Sequence, residues 1–156
     1  MRASDVLCHD ILTRLIAFDT TSRNSNLGMI AWIQEYLASF NIATELTYDD
    51  DQRKANLFAT VGPAENSGGI ILSGHTDVVP IDGQDWVTDP FEMTEKDGKL
   101  YGRGTCDMKS FVAVSLAMVP HLLKRGLKVP IHLAFSYDEE VGCIGVRRLI
   151  ERNLGQ

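Results

Sequence analysis

The 156-residue chain carries a formal net charge of −6, a pI near 5.1 and 44% apolar residues, a composition suited to one globular domain that buries roughly two thirds of its unfolded surface. Its basic residues gather into nothing larger than the pairs Arg53-Lys54, Lys124-Arg125 and Arg147-Arg148, so a nucleic-acid backbone is excluded as a partner. The opening MRASDVLCHDILTRLIAF has early acids and polar residues on its apolar face. It therefore suits neither a signal peptide nor a membrane span, and a cytoplasmic protein is expected.

In chain order, the steps between Val6, Leu7, Ile11, Leu12, Leu15 and Ile16 predict an amphipathic helix over 4–18, with Ser4 as N-cap. A second helix is predicted over 27–40, where Ile30, Ile33 and Leu37 share a face and Asn26 is placed to cap the first N–H groups. The period then changes, and 44–48, 56–61 and 69–72 read as strands, the last ended by Ser73-Gly74. Residues 80–90 form a polar loop between two prolines, and Asp97-Gly98 marks a hairpin within 94–101. The run FVAVSLAMVPHLLKRG is apolar nearly all round and predicts a buried helix that Pro120 kinks or ends early. Residues 131–137 are a further buried strand and 143–153 have helical spacing. Strands alternating with helices predict an α/β fold, a layered sheet flanked by helices, with no repeat and no internal domain boundary. Cys8, Cys106 and Cys143 are odd in number and far apart, which argues for reduced thiols rather than a disulfide framework.

Three polar motifs stand out, two of them directly after apolar runs and one just before the long apolar helix. In SGHTDVVP, His75 and Asp77 stand two apart at a strand end; a neutral imidazole ligates zinc well and a carboxylate can fix its tautomer. In YGRGTCDMKS, Asp107 follows Gly102 and Gly104 and precedes the long helix, a position that also suits an ordinary helix cap. The GRG element is not a dinucleotide loop, since the third glycine of that pattern is missing. In SYDEEVG, Asp138, Glu139 and Glu140 are adjacent, an arrangement costly to pack without a cation or abundant water. Adjacent carboxylates suit a division in which one binds metal and the next moves a proton. Solvated acids, a capping Asp and a hydrogen-bonded His explain each motif singly; the three in order at element ends point to a metal site.

With GHTDVVP, WVTDPF, DGKLYGRGTCDMK and DEEVG in this order, the chain resembles the zinc aminoacylase and carboxypeptidase superfamily, whose members include aminoacylase, succinyl-diaminopimelate desuccinylase, glutamate carboxypeptidases and acetylornithine deacetylase. The stretch from Asp82 to Phe111 is most similar to the acetylornithine deacetylase branch. The resemblance implies two zinc ions per complete site, with Co(2+) a possible substitute. It implies His75 as ligand of one zinc, Asp107 bridging both, Glu140 as ligand of the other, Glu139 as general acid/base and Asp77 as the residue that orients His75. It further implies hydrolysis of a small N-acylated amino acid, here N-acetylornithine to ornithine and acetate in arginine biosynthesis, and a cis peptide after Asp107. A desuccinylase, a dipeptidase and a non-catalytic binding remnant are the alternatives. Ser110 stands where the family often has glycine, a mild departure at a helix start.

The resemblance also implies that residues 1–156 are the N-terminal part of the catalytic domain. A further metal carboxylate, a metal His and an inserted dimerisation domain, which makes homodimers of full-length relatives, would lie outside it. The isolated chain is then expected to bind zinc weakly and to turn over negligibly. Cys143, near a helix N-terminus, is a candidate for a lowered thiol pKa, and Trp86 and Phe91 either pack the loop down or line a cleft.

Overall fold

The computed structural model describes the backbone of residues 3–65 and 68–154 and the side chains of 5–65 and 68–153. Helices α1 (Ala3–Ile16) and α2 (Leu27–Ala38) precede strands β1 (Thr44–Tyr48), β2 (Ala55–Val61) and β3 (Ile70–His75). A hairpin of β4 (Thr94–Lys96) and β5 (Lys99–Tyr101) follows, then helix α3 (Lys109–Arg125), strand β6 (Ile131–Ser136) and helix α4 (Ile144–Leu149), which runs into a π-helical turn at Ile150–Leu154. The main sheet has the order β1-β2-β6-β3, antiparallel between β1, β2 and β6 and parallel between β3 and β6. This is the layered α/β arrangement the sequence predicts.

Parallel neighbours need a long crossover, and the hairpin and α3 supply it between β3 and β6. The consequence is positional. Both strands deliver their C-terminal ends to the same edge of the sheet, with His75 registered against Ser136. The segment after β3 and the acidic turn after β6 therefore emerge side by side.

The period of two separates the faces of β2 and β6. Ala55, Leu57, Ala59 and Val61 join Leu133 and Phe135 in the main core with Leu15, Ile30, Ile33, Val112 and Leu116 of α1, α2 and α3. On the other face, Phe58 and Ala134 pack with Leu149 of α4. Three helices thus cover one side of the sheet and α4 the other.

Several sequence expectations need correction. Strand β3 does not end at Ser73-Gly74 but runs through them to His75. Helix α1 starts at Ala3, placing Ser4 inside its first turn, and the Ser4 side chain falls outside the described residues. Asn26 sits at the N-cap position without a capping bond; its amide instead bridges two elements, donating to the Ala55 carbonyl and the Thr76 hydroxyl at 2.9 Å each and accepting the Ala55 N–H at 2.9 Å. The 143–153 helix divides into α4 and the π-helical turn. Helix α3 is amphipathic rather than buried all round, since Val114 and Met118 are 51% and 41% exposed.

Helix α3 also passes through Pro120 and continues to Arg125. Proline deprives the carbonyl four residues earlier of its partner, and that carbonyl, Leu116 O, accepts the Tyr36 hydroxyl of α2 at 3.0 Å. Tyr36→Phe is expected to destabilise by about 1 kcal/mol. In a Pro120→Ala background the loss should shrink, because residue 120 then supplies an N–H; equal losses in a urea-unfolding double-mutant cycle would refute the pairing.

Candidate metal centre

Strand β3 ends at His75, and the chain beyond it is pinned from both sides. The Thr76 N–H and hydroxyl donate to the Ser136 carbonyl at 2.8 and 2.9 Å, and the Thr20 hydroxyl donates to the Thr76 carbonyl at 2.6 Å. His75 is 4% exposed and Asp77 2%. The Nδ1 of His75 lies 2.9 Å from the Asp77 main-chain carbonyl and 3.6 Å from its carboxylate, so Nδ1 carries hydrogen and Nε2 faces outward.

Around that Nε2 the acids converge. Asp107 Oδ1 lies 3.1 Å away and Glu139 Oε2 3.8 Å. His75, Glu139 and Glu140 each offer a donor atom, all within 4.8 Å of one another. Imidazole nitrogen and carboxylate oxygen are donor types that bind zinc; Asp107, though 3.1 Å from Nε2, is not part of this close set. Asp107 reaches the site from a turn in which Gly104 has φ +92° and the Asp107-Met108 peptide is cis, as the family resemblance implies. A Cβ on Gly104 would lie 3.0 Å from Lys109 Cδ and 3.0 Å from Val78 Cγ1, and the left-handed φ would strain any other residue there.

Charge in this cluster is unbalanced. Burial opposes a proton on His75, but the Asp77 carboxylate and carbonyl and then Asp107 outweigh it and push the ring up to about 9. Burial, together with Asp107, Asp77 and Glu139, pushes the Glu140 carboxyl up despite His75. Four carboxylates around one imidazole favour a cation, and an ion taken up at Nε2 would have to displace the His75 proton.

The Asp77 carboxylate does more than the sequence suggests. Its Oδ1 accepts the Glu139 N–H at 3.0 Å, and its Oδ2 accepts the Glu140 N–H at 3.2 Å and the Ser22 hydroxyl at 2.7 Å. It orients His75 mainly through its carbonyl and clamps the acidic turn with its carboxylate. No sequence motif marks Ser22, Lys54 or Lys109 as part of this neighbourhood. Lys109 is fully buried and donates to the Leu15 and Phe18 carbonyls at 3.0 and 2.7 Å; burial pushes its ammonium down to about 7 against the pull of Asp19.

The cysteines are free thiols, as expected. Cys143 is a correction: its thiol is raised, first by the hydrogen bond to Glu139, with Sγ 3.5 Å from Oε1. Trp86 donates its indole N–H to Gln84 Oε1 at 3.1 Å within the loop, and its ring lies 5.2 Å from the Arg103 guanidinium beyond the hairpin. Among the described residues no helix is long and apolar enough to cross a membrane.

Residues 71–156, which hold all five candidate residues, match the profile of Peptidase family M20/M25/M40. The chain belongs to this family. It is 41% identical over 130 residues to the acetylornithine deacetylase of Pasteurella multocida (strain Pm70), covering 83% of this chain and 34% of that protein. With the acetylornithine deacetylase of Myxococcus xanthus the identity is 40% over 149 residues, covering 93% and 38%. This M20/M25/M40 chain thus spans little more than a third of the length of these curated relatives. Human carnosine dipeptidase 1 superposes with a TM-score of 0.79 at 26% identity over 96% of this chain and 36% of that one. The M20 family metallo-carboxypeptidase Sso-CP2 of Sulfolobus solfataricus gives 0.82 at 21% identity over 99% and 35%, a likeness of fold.

Proposed function

We propose that this chain carries the first part of the active site of a zinc-dependent amide hydrolase whose substrate is N-acetylornithine, released as ornithine and acetate in cytoplasmic arginine biosynthesis. The supporting observation is the convergence of Asp107, Glu139 and Glu140 on His75 in a chain 41% identical to an acetylornithine deacetylase. In this reading His75, Glu140 and Asp107 are the residues that would hold a zinc pair. Bound zinc supplies a polarised amide carbonyl and a more acidic water.

The chain's own residues do the rest. Glu139, 43% exposed in its side chain, is open to substrate. It takes the proton of the attacking water and returns it to the leaving amine, a role worth about 10²–10⁴ in rate. The Asp77 carbonyl holds His75 in the tautomer that presents Nε2. A dipeptide is the second substrate class, favoured by the likeness to carnosine dipeptidase 1.

The test places residues 1–156 in the matching segment of the Pasteurella multocida relative and measures ornithine release from N-acetylornithine beside dipeptide cleavage. Turnover of the acetylated amino acid above that of dipeptides is expected. A folded, zinc-loaded chimera inert to both would refute the reading.

A further inference from the structure

The acidic turn poses a physical problem that the metal site does not solve: three consecutive carboxylates leave β6, and only two of them face His75. The third, Asp138, turns the other way. It meets Lys54, one residue before β2, in an ion pair whose side chains are only 15% and 13% exposed. The Lys54 ammonium donates to Asp138 Oδ1 and Oδ2 at 2.6 and 2.7 Å and to the Ser22 carbonyl at 2.5 Å.

From Ser22 the bonding returns to the site. Its hydroxyl donates to Asp77 Oδ2, and the Asp77 carboxylate accepts the N–H groups of Glu139 and Glu140. Lys54, Asp138, the Glu139-Glu140 backbone, Asp77 and Ser22 thus close a ring. Asp138 itself has φ +54° and its carbonyl accepts the Ile144 N–H at 3.0 Å, which fixes where the turn joins α4. An ion pair this enclosed adds little net stability relative to an apolar pair of the same shape, so its distinctive consequence is geometric.

We propose that Lys54 is a positioning residue of the metal centre: it withdraws Asp138 from the carboxylate cluster and ties the acidic turn to Ser22, so that Glu139 and Glu140 are the two carboxylates presented to His75. The inference rests on the metal-site reading above. Lys54 touches neither substrate nor ion; it acts through Asp138 and Ser22.

The test titrates Co(2+) into the metal-free 156-residue chain at millimolar concentrations and follows the visible absorption of the bound ion, with circular dichroism as a check on folding. Lys54→Met is expected to weaken binding by about tenfold or more and to change the band shape, as losses of outer ligand supports do. Lys54→Arg, which keeps charge and a bidentate grip on Asp138, should stay within about threefold of wild type. The sign is decisive, because simple loss of a positive charge beside a cation site would tighten Co(2+) binding. Ser22→Ala, a small change at the opposite link of the ring, should weaken binding by about three- to tenfold and covers the case in which Lys54→Met does not fold.

Unchanged or tighter binding in Lys54→Met, or unchanged binding in Ser22→Ala, would overturn the positioning role while leaving the metal centre standing. A wild-type chain that develops no Co(2+) bands would overturn the metal-site reading and this inference with it.

Discussion

Asp77→Ala is expected to lower the unfolding free energy by about 3–5 kcal/mol, the effect of deleting one member of a buried, hydrogen-bonded charge group. Asp77 is 2% exposed, and its carboxylate accepts the Ser22 hydroxyl and the Glu139 and Glu140 N–H groups while facing His75. Alanine removes all four interactions and leaves the acidic turn with two unpaired donors. The pH dependence gives the claim a second handle. Burial alone would raise the Asp77 carboxyl, but His75, Ser22 and the two amides outweigh it and hold it below its ordinary 3.8. A carboxyl with a depressed folded pKa contributes stability that is present above the unfolded value and lost as pH falls through the folded one. The gap between wild type and Asp77→Ala should therefore be full at pH 7 and shrink in acid below about pH 4. Urea-unfolding midpoints under both conditions measure it, and a gap under about 1 kcal/mol at neutral pH would show that water replaces the carboxylate.

What the sequence made legible was whatever depends on local pattern. Strand alternation placed β1, the Asp97-Gly98 pair placed the hairpin, the apolar runs before His75 and Glu140 placed them beyond strands, and the apolar run after Asp107 placed it ahead of a helix. Convergence of these ends follows from topology: once β3 and β6 are parallel neighbours, their C-terminal residues must meet. Illegible were the contacts between residues distant in sequence whose types are unremarkable singly. Nothing around Lys54 marks it as the partner of Asp138, 84 positions away. Asn26 has the composition of a cap, yet its amide fits between Ala55 and Thr76, where it satisfies three buried groups instead of one. Pro120 reads as a helix end because the pattern cannot contain Tyr36, whose hydroxyl removes the penalty.

Between pH 7 and 9 the metal-free protein should carry two opposed titrations, and single substitutions should expose each. His75 is held at about 9 in the fold, above its ordinary 6.5. Its stabilisation is complete below pH 6.5 and is lost as pH rises through 9. Lys109 runs the other way: burial lowers it from 10.5 to about 7, so above pH 7 the unfolded chain binds the extra proton and stability rises with pH. Each slope is bounded by about 1.4 kcal/mol per pH unit, and over the shared window they offset. Lys109→Met removes the rising limb, so its stability should fall by on the order of 2 kcal/mol between pH 6.5 and 9. His75→Gln removes the falling limb and should gain stability over the same range. Urea midpoints with chelator present decide the matter: a flat Lys109→Met profile would mean that His75 is uncharged in the fold. Zinc provides an independent check on the cause, because a metal on Nε2 excludes the proton. Saturating zinc should then abolish the fall in Lys109→Met, whereas a fall arising elsewhere in the chain would persist.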